Sequence, residues 1–332
     1  MNRITAWISD KLVELVFAYR TLNTPNPFHA VRGKEHWWIN QSPEDFYAIP
    51  DSSPRINFHT EWKSKYRTRL RFSFPSAHKS PYPENNTVHG LAALSPERTA
   101  RGAVIVVHGH RMSSFASLEW FALPAAREGA DIYYISLPYH MKRTPSGTWG
   151  GQLVLNSDVE GTAFAFRQGV MDLRALISWI TANRGTPVGL TGISLGAYTS
   201  SMVSVVDPRV KSLISIVGGG SLAQIIWDGY MLGRPKRQLM SGGVTRQRLE
   251  DYWKLLGPAN WQSCLPPERV LMLAGKFDTI VTPSNVFRLW QSWNLPQIRW
   301  YPSGHGTIAT YYREAVGVIR RFLRTNLLSL DG

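Results

Sequence analysis

A serine stands between two glycines at the point where an apolar run meets a stretch of small residues. The pentapeptide Gly192-Ile193-Ser194-Leu195-Gly196 follows residues 187–190 and precedes residues 197–206. This pattern predicts a strand that turns sharply into a helix, because the glycines let the two elements approach closely where a β-carbon would obstruct the turn. A serine at such a turn is in the position of a nucleophile. The alternative is an ordinary turn serine.

Two further side chains with acid–base chemistry follow later apolar runs. Residues 269–275 indicate a buried strand, and Asp278 lies on the loop after it. A short strand at 297–301 leads into Pro302-Ser303-Gly304-His305-Gly306, which places His305 before the last predicted helix. His305 is the candidate general base and Asp278 the candidate acid that orients it. The alternative for Asp278 is that it only begins a turn or caps the next helix, and the alternative for His305 is that it caps the last helix.

A fourth strand end lies upstream of these three. Residues 102–107 predict a buried strand that leads into His108-Gly109-His110-Arg111. A loop in this place is expected to bind the oxyanion of a tetrahedral intermediate. His108 fits a purely structural role equally well, and His110 matters mainly through its backbone amide, which any residue except proline would supply.

The order of these pieces along the chain resembles that of the α/β-hydrolase superfamily, over about residues 65–328. Residues 42–47, 137–143 and 190–198 also resemble the eighteenth abhydrolase-domain family. The resemblance implies an α/β protein with the α/β-hydrolase fold, in which helices cover both faces of a mostly parallel central sheet. The alternation of apolar runs and helical stretches between residues 103 and 328 fits that architecture.

The resemblance also implies a mechanism. Ser194 attacks an acyl carbonyl, His305 takes the serine proton, and Asp278 holds the imidazole in the required tautomer. Hydrolysis then proceeds through an acyl-enzyme. The backbone amides of Leu195 and His110 occupy the positions that form the oxyanion hole in this superfamily.

Two insertions are expected to shape the substrate pocket. Residues 139–157 lie at the edge of the sheet that is expected to carry the active site. Residues 221–267 are long enough to form a small helical cap, whose aromatic side chains either line an acyl pocket or only pack on the core. Where many lipases have a Gly-Gly-Gly extension, this chain has Arg111, which would add positive charge near the oxyanion. The candidate substrate contacts are Arg111, Tyr139, His140, Trp227 and Tyr230.

The segment before the hydrolase domain differs in character from the rest of the chain. We expect a helix and loop arm over residues 1–60 and the hydrolase domain over residues 61–332. Apolar residues recur at helical spacing in residues 4–19, but Asp10, Lys11 and Glu14 interrupt them. We therefore expect this segment to be neither a membrane span nor a secretory signal peptide. The preferred interpretation is a helix that docks on the hydrolase domain or a partner subunit, and the alternative is an amphipathic helix at a lipid surface.

Composition limits the classes of partner. The 332 residues carry a formal net charge of +14, but the cations are spread along the chain and no nucleic-acid-binding motif occurs, so we expect no nucleic-acid partner. Cys264 is the only cysteine, which excludes intrachain disulfides, and the histidines lack zinc-type spacing. We therefore expect no metal and no cofactor. A cytoplasmic enzyme fits this composition, and the oligomeric state is left open.

These observations converge on a serine hydrolase that cleaves a carboxylic ester, with a small-molecule or lipid-like acyl ester as substrate. An acyltransferase, thioesterase or peptidase would use the same triad. A catalytically silent hydrolase fold that binds lipid or protein is the alternative from a different class. Finding that Ser194, Asp278 and His305 do not converge in space would favour it.

Overall fold

The computed structural model describes residues 3–22, 36–96, 100–229 and 233–329. In these ranges nine strands form one sheet. The strands are β1 (Asn57–Lys63), β2 (Thr68–Pro75), β3 (Thr87–Leu94), β4 (Ala103–Val107), β5 (Asp131–Ile135), β6 (Val188–Ile193), β7 (Val210–Ile216), β8 (Val270–Gly275) and β9 (Gln297–Tyr301). Their order across the sheet is β1-β2-β3-β5-β4-β6-β7-β8-β9.

The sheet has an antiparallel end and a parallel body. β1, β2, β3 and β5 pair with one another in antiparallel fashion, whereas β5, β4, β6, β7, β8 and β9 pair in parallel. Every residue of β4, β5 and β8 is buried, as expected for parallel strands that are covered on both faces. The carboxyl ends of the parallel strands therefore share one edge of the sheet.

Helices cover both faces, as the sequence predicts. The helices are α1 (Arg3–Leu22), α2 (Pro43–Phe46), α3 (Glu119–Arg127), α4 (Val159–Arg184), α5 (Leu195–Val206), α6 (Leu222–Asp228), α7 (Gly233–Ser241), α8 (Arg246–Tyr252), α9 (Pro283–Ser292) and α10 (Tyr312–Leu323).

Alternate residues of β4 belong to different apolar clusters. Ile105 and Val107 pack in the cluster that contains α4 and α5, and Val104 and Val106 pack in the cluster that contains α3 and α10. Because side chains alternate along a strand, the two clusters lie on opposite faces.

The cap predicted at residues 221–267 contains α6, α7 and α8, between β7 and β8. Part of the predicted N-terminal arm packs against this cap. Trp38 and Tyr47 are fully buried in the main core, and their Nε1–H and hydroxyl groups donate hydrogen bonds to the carbonyl oxygens of Tyr252 and Leu255. The segment around α2 is thus part of the core. β1 also begins before residue 60, so the arm and the sheet overlap at the predicted boundary.

Candidate active site

Ser194 lies between β6 and α5 in a strained conformation. Its φ of 53° and ψ of −115° are unusual for a residue with a side chain. Neither flanking glycine has room for a side chain. A β-carbon on Gly192 would overlap the backbone of Gly196, and one on Gly196 would overlap the carbonyl oxygen of Val107. The sharp turn from strand to helix predicted from the sequence is therefore present, and it lifts the serine out of the sheet.

Three side chains that are far apart in the sequence form one hydrogen-bonded chain. The Nε2 atom of His305 lies 2.9 Å from the Oγ atom of Ser194, and its Nδ1 atom lies 2.7 Å from Oδ2 of Asp278. The other carboxylate oxygen of Asp278 accepts hydrogen bonds of 2.9 Å from the backbone amides of Ile280 and Val281. Backbone amides of its own loop thus hold the Asp278 carboxylate in place, and the carboxylate in turn orients the His305 ring.

The electrostatics of His305 follow from its neighbours. Burial opposes the charged form of the ring and lowers its pKa, but the carboxylates of Asp278 and Asp10 raise it. The net result is that the pKa of His305 is above its ordinary value. A ring placed in this way accepts a proton readily from Ser194.

His108 has a structural place in the predicted oxyanion loop. Its Nδ1–H donates to the carbonyl oxygen of Gly109 at 2.7 Å, and its Nε2 accepts from the amide of Leu137 at 2.9 Å. Burial is the main reason why its pKa falls to about 4, so the ring is neutral at pH 7. His108 therefore joins the loop after β4 to the loop after β5.

His140 has the same arrangement, and this corrects its predicted role as a substrate contact. The ring is fully buried. Its Nδ1–H donates to the carbonyl oxygen of Pro138 at 2.8 Å, and its Nε2 accepts from the amide of Arg111 at 3.1 Å. Burial and the two neighbouring histidines hold its pKa well below the ordinary value. With both ring nitrogens bound to the backbone, His140 supports the loop from behind.

Tyr139 also turns inward, which corrects its predicted contact with substrate. Its backbone has a φ of 61°, and its ring is buried beside Tyr82, with the two ring centroids 5.9 Å apart. Its backbone amide donates to Oδ1 of Asn85 at 2.9 Å. The rings of Tyr139 and His140 are thus both buried by the tertiary contacts of the loop after β5.

The remaining predicted contacts have different settings. The guanidinium carbon of Arg111 lies 4.7 Å from the centroid of the Trp149 ring, which is cation–π geometry. Trp227, in the cap, is partly buried against the main core, and its carbonyl oxygen accepts from Nζ of Lys236 at 2.7 Å. The substrate-binding roles of Arg111 and Trp227 stay predictions. Tyr230 lies outside the described residues.

The two predicted oxyanion donors lie at the expected strand ends. Leu195 is the first residue of α5, and backbone amides in the first turn of a helix lack partners within the helix, which makes them suitable donors to an anion. His110 lies on the loop after β4, and burial is the main cause that lowers the pKa of its ring to about 3. Any positive charge in this loop therefore belongs to Arg111. Binding of an oxyanion by these amides stays a prediction.

Sequence reasoning missed one residue beside the triad. Asp10 of α1 is fully buried, and its carboxylate accepts hydrogen bonds from the backbone amides of His305 and Thr279. In the sequence, Asp10 only interrupts an amphipathic run, and no motif marks it as a partner of residues near the opposite end of the chain.

A cavity of about 700 Å³ opens between α1 and the loop after β8. It is lined by Arg3, Ile4, Trp7, Lys276, Phe277, Asp278, Thr279 and Pro283. Within the described ranges, no cluster of three or more histidine, cysteine or acidic side chains could hold a metal ion. None of the helices in those ranges has the length and apolar character needed to cross a membrane.

Comparison with known proteins agrees with this architecture. The model of the family described as "Alpha/beta hydrolase domain containing 18" matches residues 37–235. The uncharacterized protein MT2702 of Mycobacterium tuberculosis (strain CDC 1551 / Oshkosh) is 30% identical over 302 residues, which cover 84% of this chain and 68% of that protein.

Among solved structures, the acetyl xylan esterase from Paenibacillus sp. R4 superimposes with a TM-score of 0.64 at 14% identity, over 89% of this chain and 97% of that one. Acetyl xylan esterase 1 from Thermoanaerobacterium sp. JW/SL YS485 gives a TM-score of 0.60 at 17% identity, over 82% and 93%. These identities show the fold alone. The fold predicted from the sequence is thereby confirmed, and the chain belongs to the family of α/β-hydrolase domain containing 18.

Proposed function

We propose that this protein is a serine hydrolase that cleaves a carboxylic ester through an acyl-enzyme. The observation that carries the proposal is the continuous contact from Asp278 through His305 to Ser194, with separations of 2.7 Å and 2.9 Å. A nucleophile, a base and an orienting acid within hydrogen-bond reach are the arrangement that activates a serine hydroxyl.

Each residue of the triad has a role in moving the serine proton and stabilising the charge that develops. The Oγ atom of Ser194 attacks the ester carbonyl while Nε2 of His305 takes its proton, and Asp278 stabilises the imidazolium that results. The oxyanion faces the amide of Leu195, with the amide of His110 as the second donor; loss of one such donor typically costs about 3 kcal/mol of transition-state stabilisation. The alcohol leaves with the proton from His305. Water then repeats the sequence on the acyl-enzyme and releases the acid.

For the substrate we propose a small-molecule or lipid-like acyl ester. The similar structures named above are esterases by description, which agrees with an ester. The fold alone does not exclude amides, since an acylaminoacyl peptidase from Pyrococcus horikoshii also superimposes, with a TM-score of 0.56 at 15% identity over 86% of this chain and 44% of that one. Thioesterase or acyltransferase activity would use the same three residues. A cytoplasmic location and the absence of a nucleic-acid partner stay predictions.

The decisive experiment is labelling with a fluorophosphonate, a probe that reacts with activated serines. The wild type should gain one adduct, which peptide mapping should place on Ser194, and Ser194→Ala should gain none. Ser200→Ala is the matched control, because Ser200 is a buried serine of the adjoining helix α5 and lies outside the triad. It should label like the wild type.

A series of p-nitrophenyl esters of increasing chain length, assayed on the same preparations, would then define the acyl group. Ser194→Ala should lose about 10⁶-fold in kcat, as expected when the nucleophile of a triad is removed. Turnover by Ser194→Ala at the wild-type rate would overturn the mechanism. A folded wild type that neither labels nor hydrolyses any ester would favour the catalytically silent alternative.

A further inference from the structure

Two buried residues lie on one face of helix α1, in the part of the helix whose side chains are described. Ala6 and Asp10, four residues apart and therefore on the same side of the helix, are both fully buried. Ile8 and Leu12, on other faces, are exposed. In the part of α1 whose side chains are described, the docked face therefore includes a small side chain and a carboxylate.

The carboxylate of Asp10 binds the two loops that carry the base and the acid. The backbone amide of His305 donates to both of its oxygens, at 2.9 Å and 3.1 Å. The amide and hydroxyl of Thr279 donate to Oδ2 at 3.1 Å and 3.2 Å. Thr279 directly follows Asp278. One side chain from α1 thus connects the backbone at His305 to the backbone next to Asp278.

The loop before His305 is shaped to admit this carboxylate. A β-carbon on Gly304 would lie 2.6 Å from Oδ1 and 2.7 Å from Oδ2 of Asp10, and its three nearest atoms would all belong to Asp10. Any residue other than glycine at position 304 would therefore press against the carboxylate. The absence of a side chain at Gly304 thus leaves the space that the carboxylate of Asp10 occupies.

Charge gives the contact a second effect. Burial, and after it the nearby Asp278, hold the pKa of Asp10 above its ordinary value, although the amides of Thr279 and His305 act in the opposite direction. The charged groups that act on His305 are Asp278, on the loop after β8, and Asp10, on α1. A negative charge placed here favours the imidazolium over the neutral ring.

We propose that Asp10 is a positioning residue of the active site, which ties the His305 loop to the Asp278 loop and stabilises the imidazolium that forms during acyl transfer. The inference rests on the proposed function, and it makes α1 a required part of the active site. The contacts of Asp10 are to the backbone amides of Thr279 and His305 and to the Thr279 hydroxyl, so it acts through the backbone of these loops and through its charge.

Asp10→Asn tests this, with Asp51→Asn as the control that removes one exposed carboxylate elsewhere. With a p-nitrophenyl ester, Asp10→Asn should lower kcat by about 10- to 100-fold, the cost of a small misplacement of catalytic groups, and should change KM little. The acid limb of its kcat profile should also move to lower pH, because His305 loses a negative neighbour. Asp51→Asn should keep the wild-type kcat and limb. An Asp10→Asn variant with the wild-type kcat and acid limb would overturn the proposal.

A double-mutant cycle tests the contact without depending on the folding of one variant. Gly304→Ala should lower kcat in the wild type, because its methyl group displaces the carboxylate. In an Asp10→Ala background the same change should cost little further, since the space is then empty. Losses that simply multiply would show that Gly304 and Asp10 act independently, and would contradict the proposal.

The two proposals fail in different ways. If the wild type does not react with the fluorophosphonate, the hydrolase function itself fails. If the wild type reacts and hydrolyses esters, and Asp10→Asn matches it in rate and pH profile, only the role of Asp10 fails. Melting temperatures of each variant would show whether a loss of kcat reflects loss of fold.

Discussion

The carboxylate of Asp278 serves the histidine and its own loop at once, with Oδ2 facing Nδ1 of His305 and Oδ1 accepting two backbone amides. In Asp278→Asn, the amide oxygen can keep the backbone contacts, so the amide nitrogen would face Nδ1 and favour the wrong tautomer. We expect kcat to fall by about 10⁴-fold with little change in KM. Steady-state kinetics and a thermal melt would check this, and a loss below tenfold would argue against Asp278 as the orienting acid.

The pH dependence of kcat/KM should report the setting of His305. The base must be neutral to take the serine proton, and its pKa is raised above the ordinary value, which is about 6.5 for histidine. Activity should therefore fall on the acid side, with a midpoint above that value. A profile between pH 4 and 9, measured on an ester whose hydrolysis is not itself pH-limited, would test this. A midpoint well below 6.5 would contradict the arrangement.

Arg143 and Asp172 form an ion pair in which both side chains are buried, with 2.8 Å between Nη2 and Oδ2. Arg143 also donates to the carbonyl oxygens of Asn85 and Ser136, so it anchors the loop after β5. Asp172→Ala should lower the free energy of unfolding by about 3–5 kcal/mol, because it leaves an uncompensated buried charge.

Denaturant unfolding would measure this effect, with Glu314→Ala as the comparison. Glu314 pairs with Arg299 at the surface, where solvent screens the charges, and its loss should change stability little. Equal effects of the two substitutions would show that burial of the Arg143–Asp172 pair is not what makes it important.

An exposed face of α1 fits the alternative interpretation of this segment, an amphipathic helix at a lipid surface. Ile4, Ile8, Leu12 and Leu15 are exposed, although the helix docks through Ala6 and Asp10. Docking leaves these residues exposed, and we propose that they bind anionic membranes, aided by the net charge of +14.

Vesicles of phosphatidylcholine with and without phosphatidylserine provide the assay. Leu12→Glu combined with Leu15→Glu should weaken sedimentation with the anionic vesicles, whereas Phe287→Glu, at an exposed apolar position on α9, should not. Wild-type protein that stays in the supernatant with both vesicle types would refute the contact.

The sequence predicts the parallel body of the sheet well, since each of its buried strands is an apolar run bounded by turn residues. It also predicts which residues meet, because the carboxyl ends of parallel strands share an edge, and Ser194, Asp278 and His305 each follow such an end. The last helix is less well predicted. It begins at Tyr312 instead of near His305, because residues Gly306–Tyr311 form a tighter 3₁₀ turn, in which Thr310 donates to the carbonyl oxygen of Thr307.

Contacts between loops that are distant in the sequence could not be predicted from sequence patterns. The inward positions of Tyr139 and His140 depend on hydrogen bonds to Asn85 and Arg111, which no local propensity encodes. The same holds for Asp10, since a charge at a helical position reads as a solvated side chain unless its partners are known.

The contact between Asp10 and His305 joins residues 295 positions apart, and this separation has a consequence for biosynthesis. At typical rates of translation, about 5–20 residues per second, roughly 15–60 s pass between the synthesis of the two residues. During that interval the carboxylate of Asp10 lacks the His305 amide that it binds in the folded protein. The link between α1 and the His305 loop can therefore form only after residue 305 has been synthesised, whatever has folded before it.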